Sequence, residues 1–267
     1  MSPKYWGETF PACNGRKQSP IDIVTADVVK DKNLERLQLT NYDKPLTRAI
    51  YENNGNSSCL ICCTNNNDSP FIFKKMTIPL VQRLVLLPCC FLEEENNTWN
   101  TKDERDRDHL LAFGYRRWIA YPRIGFAATV LHFVHTDAKG RIAVVGVFFK
   151  STIFNNTGMR PISDMLQSLL YKGTELDVKG DINLDKLVKN GCSYYRYDGS
   201  LTTPGCDEGV IWIIFKNPLR IGFLQLTEFR QVYSVGKTNG VDISECKITG
   251  NHRPIQPINS RTIRSSV

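Results

Sequence analysis

Short apolar runs separated by turn signals dominate the sequence. They are rich in Val, Ile and Phe and too short for helices, which is typical of β-strands. Seven such runs are predicted to be strands, at 49–51, 59–63, 71–73, 84–87, 129–134, 142–149 and 210–215. The run 142–149, IAVVGVFF, is apolar at every position. It therefore indicates a strand in the middle of a sheet that is covered on both faces.

Helical patterns are few and short. Apolar residues recur at helical spacing in 163–171 and in 224–233. We predict two helices there that pack their apolar faces against the periphery of the sheet.

The segment at about 92–117 differs from the rest because acidic and basic residues alternate in it at high density. Such a segment buries little apolar area, so we predict a charged surface excursion. No linker rich in Pro, Gly or Ser divides the 267 residues. We therefore expect residues 1–267 to form a single, β-dominated domain.

The net charge of +7 and the pI near 8.9 favour acidic partners, acidic glycans included, without selecting one. Basic residues are scattered and accompany no nucleic-acid motif, so we expect no nucleic-acid binding. The sequence has no run of eighteen apolar residues, and we expect no membrane-spanning helix.

Nine cysteines are present, so at least one thiol is free or pairs outside the chain. Only Cys59 and Cys62 have Cys-x-x-Cys spacing, whereas a zinc ribbon needs two such pairs. Glycosylation sequons begin at Asn56, Asn67, Asn96 and Asn155. The cysteines and sequons together favour a secreted or extracellular glycoprotein.

Six segments carry a family resemblance. They are YWGETFPACNGRKQSPIDI (5–23), NNGNS (53–57), LHFVHTDAKGRIAVVGVFF (131–149), YYRYDGSLTTPGC (194–206), VIWIIFKNPLRIGFLQLTEFR (210–230) and NHRPIQPINSR (251–261). In this order and spacing they resemble the α-carbonic anhydrase family over roughly three-quarters of the chain.

The resemblance implies an α+β fold dominated by a central, twisted, mostly antiparallel sheet of about ten strands with short peripheral helices. It also implies a disulfide between Cys13 and Cys206. A bridge that closes so long a loop stabilises by several kcal/mol, on the order of 4. A cis peptide at Ser19-Pro20 is a further implication.

Carbon dioxide hydration in this family needs a zinc ion held by three histidines, which makes a hydroxide available near pH 7. His132 in LHFVH matches the third ligand. The first two ligands come from a strand whose best match is 82–91, where Pro88 and Cys90 stand at the histidine positions. His109 is a rival for the second ligand, but Asp106 and Asp108 would then have to be buried without partners.

The supporting residues of the family are changed as well. Val130 stands where a carboxylate orients a zinc histidine, and Asn56 replaces the histidine that shuttles protons. The frame of the pocket is retained. Its matching residues are Leu201 and Trp212 in the apolar wall, Val134 and Val144 in the carbon dioxide pocket, and Thr202 and Thr203 facing substrate.

These substitutions favour a catalytically inactive relative that binds no metal or other cofactor and acts as a binding or structural component of an extracellular assembly. A protein partner or a second copy of the chain is expected. Two alternatives stay open. One is a residual carbonic anhydrase with a rebuilt zinc site, formed by His132 with Cys59, Cys62, Cys63, Cys89 and Cys90. The other is a carrier that holds a small molecule in the vacated pocket.

Overall fold

The computed structural model describes most of the chain in separate stretches. They are residues 3–39, 42–45, 49–62, 71–73, 76–78, 81–87, 109–111, 129–137, 139–178, 182–188, 191–238, 242–248 and 252–267. Strands predominate over helices in these stretches, as the apolar runs predict.

The strands of the described residues are β1 (Asp22–Val24), β2 (Val29–Lys30), β3 (Ala49–Asn53), β4 (Ser58–Cys62), β5 (Phe71–Phe73), β6 (Met76–Ile78), β7 (Val81–Leu87), β8 (His109–Leu111), β9 (Thr129–Thr136), β10 (Ile142–Thr152), β11 (Glu175–Val178), β12 (Tyr194–Ser200), β13 (Glu208–Phe215), β14 (Leu219–Gly222) and β15 (Arg264–Ser265). The α-helices are α1 (Trp6–Thr9), α2 (Arg160–Ser163) and α3 (Phe223–Phe229). Turns of 3₁₀ helix lie at Pro3–Tyr5, Pro11–Asn14, Thr25–Asp27, Leu166–Ser168, Leu184–Lys186 and Ser244–Cys246.

A mixed sheet organises the molecule. Over the described residues it has eleven strands, in the order β11-β3-β4-β7-β9-β10-β13-β12-β15-β2, and β14 also pairs with β10. Most neighbours are antiparallel, while β10–β13, β10–β14 and β15–β2 are parallel. Strands β1 and β8 form a separate antiparallel pair, and so do β5 and β6. The predicted α+β fold with a mostly antiparallel central sheet is confirmed.

Both faces of the central strands are buried. Along β10, the residues from Ala143 to Val147 are buried without interruption. Alternate residues of the central strands enter two apolar clusters, one containing Phe133 and Val145 and the other containing Val144 and Trp212. This arrangement explains why the run 142–149 of β10 is apolar at every position rather than alternating.

The helix predicted at 163–171 does not form as an α-helix, and the helix predicted at 224–233 is shorter than its pattern suggests. The region 160–169 consists of α2 and a separate 3₁₀ turn, in which the Leu169 N–H donates to Leu166 O at 2.9 Å. Leu166 and Leu169 are nevertheless buried in the core. Helix α3 ends at Phe229, before the end of the predicted helix at 233. The apolar spacing thus identifies the buried face correctly but overestimates helix length.

The N-terminal segment is tied to the rest of the chain. A disulfide joins Cys13 to Cys206, and the Ser19-Pro20 peptide is cis, both as the resemblance implies. Gly205 has a φ of +107°, so glycine is the residue that this turn requires beside the disulfide.

The charged segment predicted at 92–117 lies outside the described residues except for 109–111, which form part of β8. None of the helices in the described part of the chain is long and apolar enough to cross a membrane.

Candidate functional site

His132 lies in the middle of β9, between β7 and β10. The residues directly opposite it are Val85 on β7 and Gly146 on β10. Directly opposite residues of neighbouring strands lie on the same face of a sheet. Both positions next to His132 are therefore taken by residues whose side chains offer no metal ligand.

The His132 imidazole is part of the core. Only 4% of the residue is exposed, and its ring meets the Trp212 ring edge-on, with the two centroids 5.0 Å apart. Burial lowers the pKa of His132 from 6.5 to about 3, because the charged imidazolium is poorly solvated there. The ring is consequently neutral at physiological pH.

The pairing of β7 with β9 shows which residues of β7 lie near His132. Leu87 lies opposite Val130, and Arg83 lies opposite Val134. Because β-strand residues alternate between faces, Arg83, Val85 and Leu87 share the face of His132. Pro88 and Cys90, the predicted positions of the two missing histidines, lie outside the described residues, so that assignment stays a prediction.

The rival ligand His109 lies elsewhere. It belongs to β8, which pairs with β1 so that His109 is opposite Val24. In the described part of the sheet, β9 pairs with β7 and β10. His109 therefore does not lie on a strand next to His132, which is where the resemblance would require a second ligand.

The residues expected to form the pocket wall do come together. Val130, Val144 and Trp212 belong to one buried apolar cluster, against which Val134 and Leu201 pack. The Trp212 indole N–H donates to Ser200 O at 3.0 Å, which fixes the orientation of the ring.

The polar residues expected at the pocket are more accessible. Thr202 is partly buried and Thr203 is exposed, in the turn that leads to Cys206. The Cys206 backbone N–H donates to Thr203 O at 3.0 Å. Asn56 is exposed in the turn between β3 and β4, where its backbone N–H donates to the Asn54 side chain at 2.9 Å.

A serine pair beneath the wall was not predicted from the sequence. The Ser19 N–H donates to Ser200 Oγ at 2.9 Å, and the Ser200 N–H donates to Ser19 Oγ at 3.1 Å. The hydroxyl of Tyr197 lies 3.2 Å from Ser19 Oγ. A Cβ atom on Gly199 would lie only 2.2 Å from that oxygen, which explains the glycine before SLTTP. Ser19 and Ser200 both lie in segments that carry the family resemblance, and this could have indicated that they are structurally important.

Two more buried polar residues escaped the sequence prediction. His135 Nε2 lies 3.0 Å from the Tyr42 hydroxyl, and its Nδ1 lies 3.3 Å from Ala143 O. Arg253 Nη1 donates to Gln18 Oε1 at 2.7 Å and Nη2 donates to Cys13 O at 3.1 Å. These groups hold elements together rather than facing the wall around His132.

Sequence comparisons identify the relatives of this fold. The sequence model of the eukaryotic-type carbonic anhydrases matches residues 1–78 and 132–267. The chain belongs to the eukaryotic-type carbonic anhydrase family. It is 26% identical to mouse carbonic anhydrase 15, over 99% of this chain and 79% of that protein. It is 27% identical to human carbonic anhydrase 3, over 99% of this chain and 95% of that protein.

The family match stops at residue 78 and resumes at His132. The unmatched part contains β7 and is the part from which the resemblance draws the first two zinc ligands. The family model thus matches the chain on both sides of this stretch and not within it.

The residues around His132 do not fit the zinc ion of a carbonic anhydrase. The family site needs two further imidazoles beside this histidine, whereas its neighbours are Val85 and Gly146. Val130 offers no carboxylate to orient the ring. Among the described residues, no group of three or more His, Cys, Asp or Glu is placed to hold a metal ion.

Proposed function

We propose that this carbonic anhydrase relative does not hydrate carbon dioxide and serves as a binding or structural component outside the cell. The observation that carries the proposal is the position of His132, which has Val85 and Gly146 opposite it and packs against Trp212. A metal hydroxide is the nucleophile in this family. One buried imidazole cannot supply it.

The retained wall has a structural explanation. Val130, Val144 and Trp212 fill the space between the sheet and the N-terminal segment and bury apolar area whether or not chemistry occurs. Thr202 and Thr203 keep their place in the turn before Cys206, where the disulfide holds that turn. The wall is thus preserved because it is part of the core.

Several features support an extracellular glycoprotein. The disulfide between Cys13 and Cys206 suits an oxidising compartment. Asn56 and Asn155 are exposed, as glycosylation requires, while the other two sequons, at Asn67 and Asn96, lie outside the described residues. We propose that the chain is one domain, binds a protein partner or a second copy of itself, and does not bind nucleic acid.

A residual carbonic anhydrase with a rebuilt site of cysteines and His132 is not favoured. Cys59 lies on β4 opposite Val85 of β7, so strand β7 lies between Cys59 and β9. Cys59 and His132 therefore lie on strands that are not neighbours in the sheet.

The proposal is tested by the zinc content of the natively purified protein, measured by mass spectrometry beside a stopped-flow assay of carbon dioxide hydration. We expect less than about a tenth of an equivalent of zinc and no rate above buffer. His132→Ala and the matched variant His135→Ala, which removes a buried histidine from the other face of β9, should have the same zinc content as the wild type. A full equivalent of zinc that His132→Ala alone removes would overturn the proposal.

A further inference from the structure

Four large apolar side chains are exposed together where β10 and β14 end. Ile153 is 75% exposed, Phe154 72%, Phe223 53% and Leu224 69%. Thr152 pairs with Gly222 in the parallel register of β10 and β14, so the two apolar pairs directly follow neighbouring residues. We call Ile153, Phe154, Phe223 and Leu224 the apolar tip. An exposed cluster of apolar groups promotes aggregation unless another group covers it.

Hydrogen bonds hold the apolar tip in one conformation. Gln225 Oε1 accepts from the Asn156 N–H at 2.6 Å and from the Gly222 N–H at 3.1 Å. Gln225 Nε2 donates back to Asn156 O at 2.9 Å. Asn156 Nδ2 also donates to Arg220 O at 2.6 Å. These bonds fix the segment after β10 to the start of α3, so both apolar pairs are held at the surface.

A glycosylation sequon lies between the two apolar pairs. Its residues are Asn155, Asn156 and Thr157, of which Asn155 and Thr157 are exposed. Asn155 directly follows Phe154. A Cβ atom on Gly222, directly before α3, would overlap Asn155 Oδ1, so the Asn155 side chain also lies against the start of that helix. A group attached to Asn155 Nδ2 therefore begins at the centre of the apolar tip.

We propose that an N-linked glycan on Asn155 covers the apolar tip, with the apolar ring face of its first N-acetylglucosamine packed on Phe154. An aromatic ring offers a large apolar face for such a contact. The rest of the glycan is bulky and solubilising, as a cover for apolar groups has to be. The inference rests on the proposed extracellular glycoprotein and gives one of its sequons a structural role.

The attachment uses the oligosaccharide donor of the secretory pathway, in which the first sugar is linked through its C1 to a lipid diphosphate. Asn155 Nδ2 forms a bond to this C1 while the bond from C1 to the phosphate oxygen breaks. The lipid diphosphate leaves with the electron pair of that bond, and Nδ2 releases one proton. The transfer needs no oxidant or reductant.

Covalent attachment favours the glycan over a separate molecule as the cover of the apolar tip. A tethered group stays close to the surface beside it, whereas a free partner must reach that surface by diffusion. A glycan that begins between the two apolar pairs also takes the space that a protein or lipid surface would need. We therefore expect the partner of the proposed function to bind another part of the molecule.

Asn56 provides a matched comparison for Asn155. It is also exposed in a sequon, in the turn between β3 and β4, but its chain neighbours are Gly55 and Ser57. Loss of a glycan from Asn56 should leave the exposed apolar surface unchanged, whereas loss from Asn155 should increase it.

The first measurement is the occupancy of each sequon in the full chain secreted from cultured animal cells. Peptide-N-glycosidase F converts a glycosylated Asn to Asp, and mass spectrometry of the peptides identifies the converted positions. We expect conversion of Asn155 in the wild type and in Thr157→Ser, which keeps the sequon, and none in Thr157→Ala. An unmodified Asn155 in the wild type would overturn the inference. A modified Asn56 in the same sample would leave the proposed extracellular glycoprotein standing.

The second measurement is the fluorescence of bis-ANS, a dye that binds exposed apolar surface. Thr157→Ala should raise the dye signal about twofold or more over the wild type, and adding Phe154→Ser should lower it again. Wild type treated with the glycosidase under native conditions should match Thr157→Ala, which excludes an effect of the substitution itself. Asn56→Gln should give the wild-type signal. Equal dye binding by the wild type and Thr157→Ala would refute coverage by the glycan.

The melting temperature measures the packing of the glycan on Phe154. In the glycosylated protein, Phe154→Ser removes the aromatic contact and should lower the melting temperature by about 2–4 °C. In the Thr157→Ala background the ring has no glycan on it, so Phe154→Ser should leave the melting temperature unchanged. Tyr5→Ser, which changes an exposed aromatic residue of the N-terminal segment, should act equally in both backgrounds. Equal effects of Phe154→Ser in both backgrounds would contradict the inference.

Other occupants of the apolar tip are tested with the glycosylated wild type. The tests are for a dimer in analytical ultracentrifugation and for binding to phosphatidylserine vesicles. If either is present and Phe154→Ser abolishes it, the apolar tip is accessible to a second copy or to lipid, and its coverage by the glycan is wrong. Such a result leaves the zinc and hydration results of the proposed function intact.

Discussion

The two histidines of β9 show how burial determines what a titratable residue can do. His132 and His135 lie on opposite faces of the strand, and both are almost fully buried. His132 packs against Trp212, while His135 lies within hydrogen-bonding distance of Tyr42 and Ala143 O. Burial lowers the pKa of His132 to about 3 and that of His135 to about 4. Both are therefore core residues that stay neutral at physiological pH.

Their low pKa values predict a loss of stability in mild acid. The unfolded chain binds a proton on each histidine below pH 6.5 and the folded chain does not, so the free energy of unfolding falls as the pH drops from about 6.5 toward 4. Each histidine should contribute about 2 kcal/mol to this loss by pH 5, at 1.36 kcal/mol per pH unit. Urea unfolding at a series of pH values measures it.

His132→Phe provides the control for this pH dependence. It removes one titrating group and keeps an aromatic ring beside Trp212. The difference in unfolding free energy between pH 7 and pH 5 should therefore shrink by about 2 kcal/mol relative to the wild type. An unchanged difference would show that His132 is protonated in the folded protein at pH 5.

Arg253 is another single residue whose contacts can be tested, because it joins three parts of the N-terminal segment. Its guanidinium donates to Gln18 Oε1, Ser19 O and Cys13 O and lies over the Trp6 ring. Lysine cannot reproduce this planar set of donors. We predict that Arg253→Lys lowers the free energy of unfolding by about 2 kcal/mol in urea titrations. Arg36→Lys, at an exposed position, should change it by less than about 0.5 kcal/mol, and equal effects would contradict the prediction.

Secondary structure was predictable because local pattern determines it. The all-apolar run of β10 predicts a strand buried on both faces, and the structure has it there. The wall was predicted from the family resemblance instead, and Leu201 does pack against the cluster that contains Trp212. Strand β12 was not among the predicted runs, since its tyrosines alternate with Arg196 and Asp198. The buried bonds of Arg253 join residues more than two hundred positions apart, and no local pattern reports them.

Among the strand pairings, the register of β7 against β9 is the feature that the sequence does not determine. Apolar runs predict that a strand exists but not which of its residues stands opposite His132, because Leu and Val suit every position. The structure places Val85 there and Leu87 opposite Val130. The sequence match instead assigned the lost histidines to Pro88 and Cys90. The two pairs of positions, Val85 with Leu87 and Pro88 with Cys90, differ by three residues. They therefore predict different positions at which restored histidines would bind zinc with His132.

Restoring the histidines separates these assignments. If the register is as described, Val85→His with Leu87→His places two imidazoles on the face of His132, and the double variant should bind about one equivalent of zinc after dialysis. Its affinity should be about 10- to 100-fold below that of an intact family site, because Val130 supplies no carboxylate. Plasma mass spectrometry measures the metal, and His132→Ala in the same background should remove it.

The matched control is Pro88→His with Cys90→His, which follows the sequence match. We expect no zinc in this variant. Zinc in the control and none in Val85→His with Leu87→His would show that the sequence match identifies the ligand positions correctly. Circular dichroism of both variants shows whether each keeps the strand-rich fold.

At the scale of the molecule, apolar packing and hydrogen bonds hold the carbonic anhydrase fold together. Apolar clusters cover both faces of the central strands, and the serine pair of Ser19 and Ser200 joins the N-terminal segment to the end of β12. These contacts join the N-terminal segment to the core and to the sheet, and one fold can carry different functions.

The disulfide tests how far the N-terminal segment depends on a covalent link. Cys13 and Cys206 are 193 residues apart, so their bridge restricts most of the unfolded chain. We predict that Cys13→Ala with Cys206→Ala lowers the free energy of unfolding by about 2–5 kcal/mol in urea titrations. Cys246→Ser, at a partly buried thiol outside any disulfide, should change it by less than about 1 kcal/mol. If the double variant unfolds at the same urea concentration as the wild type, Arg253 and the serine pair hold the segment without the bridge, and Arg253→Lys should then destabilise both proteins equally.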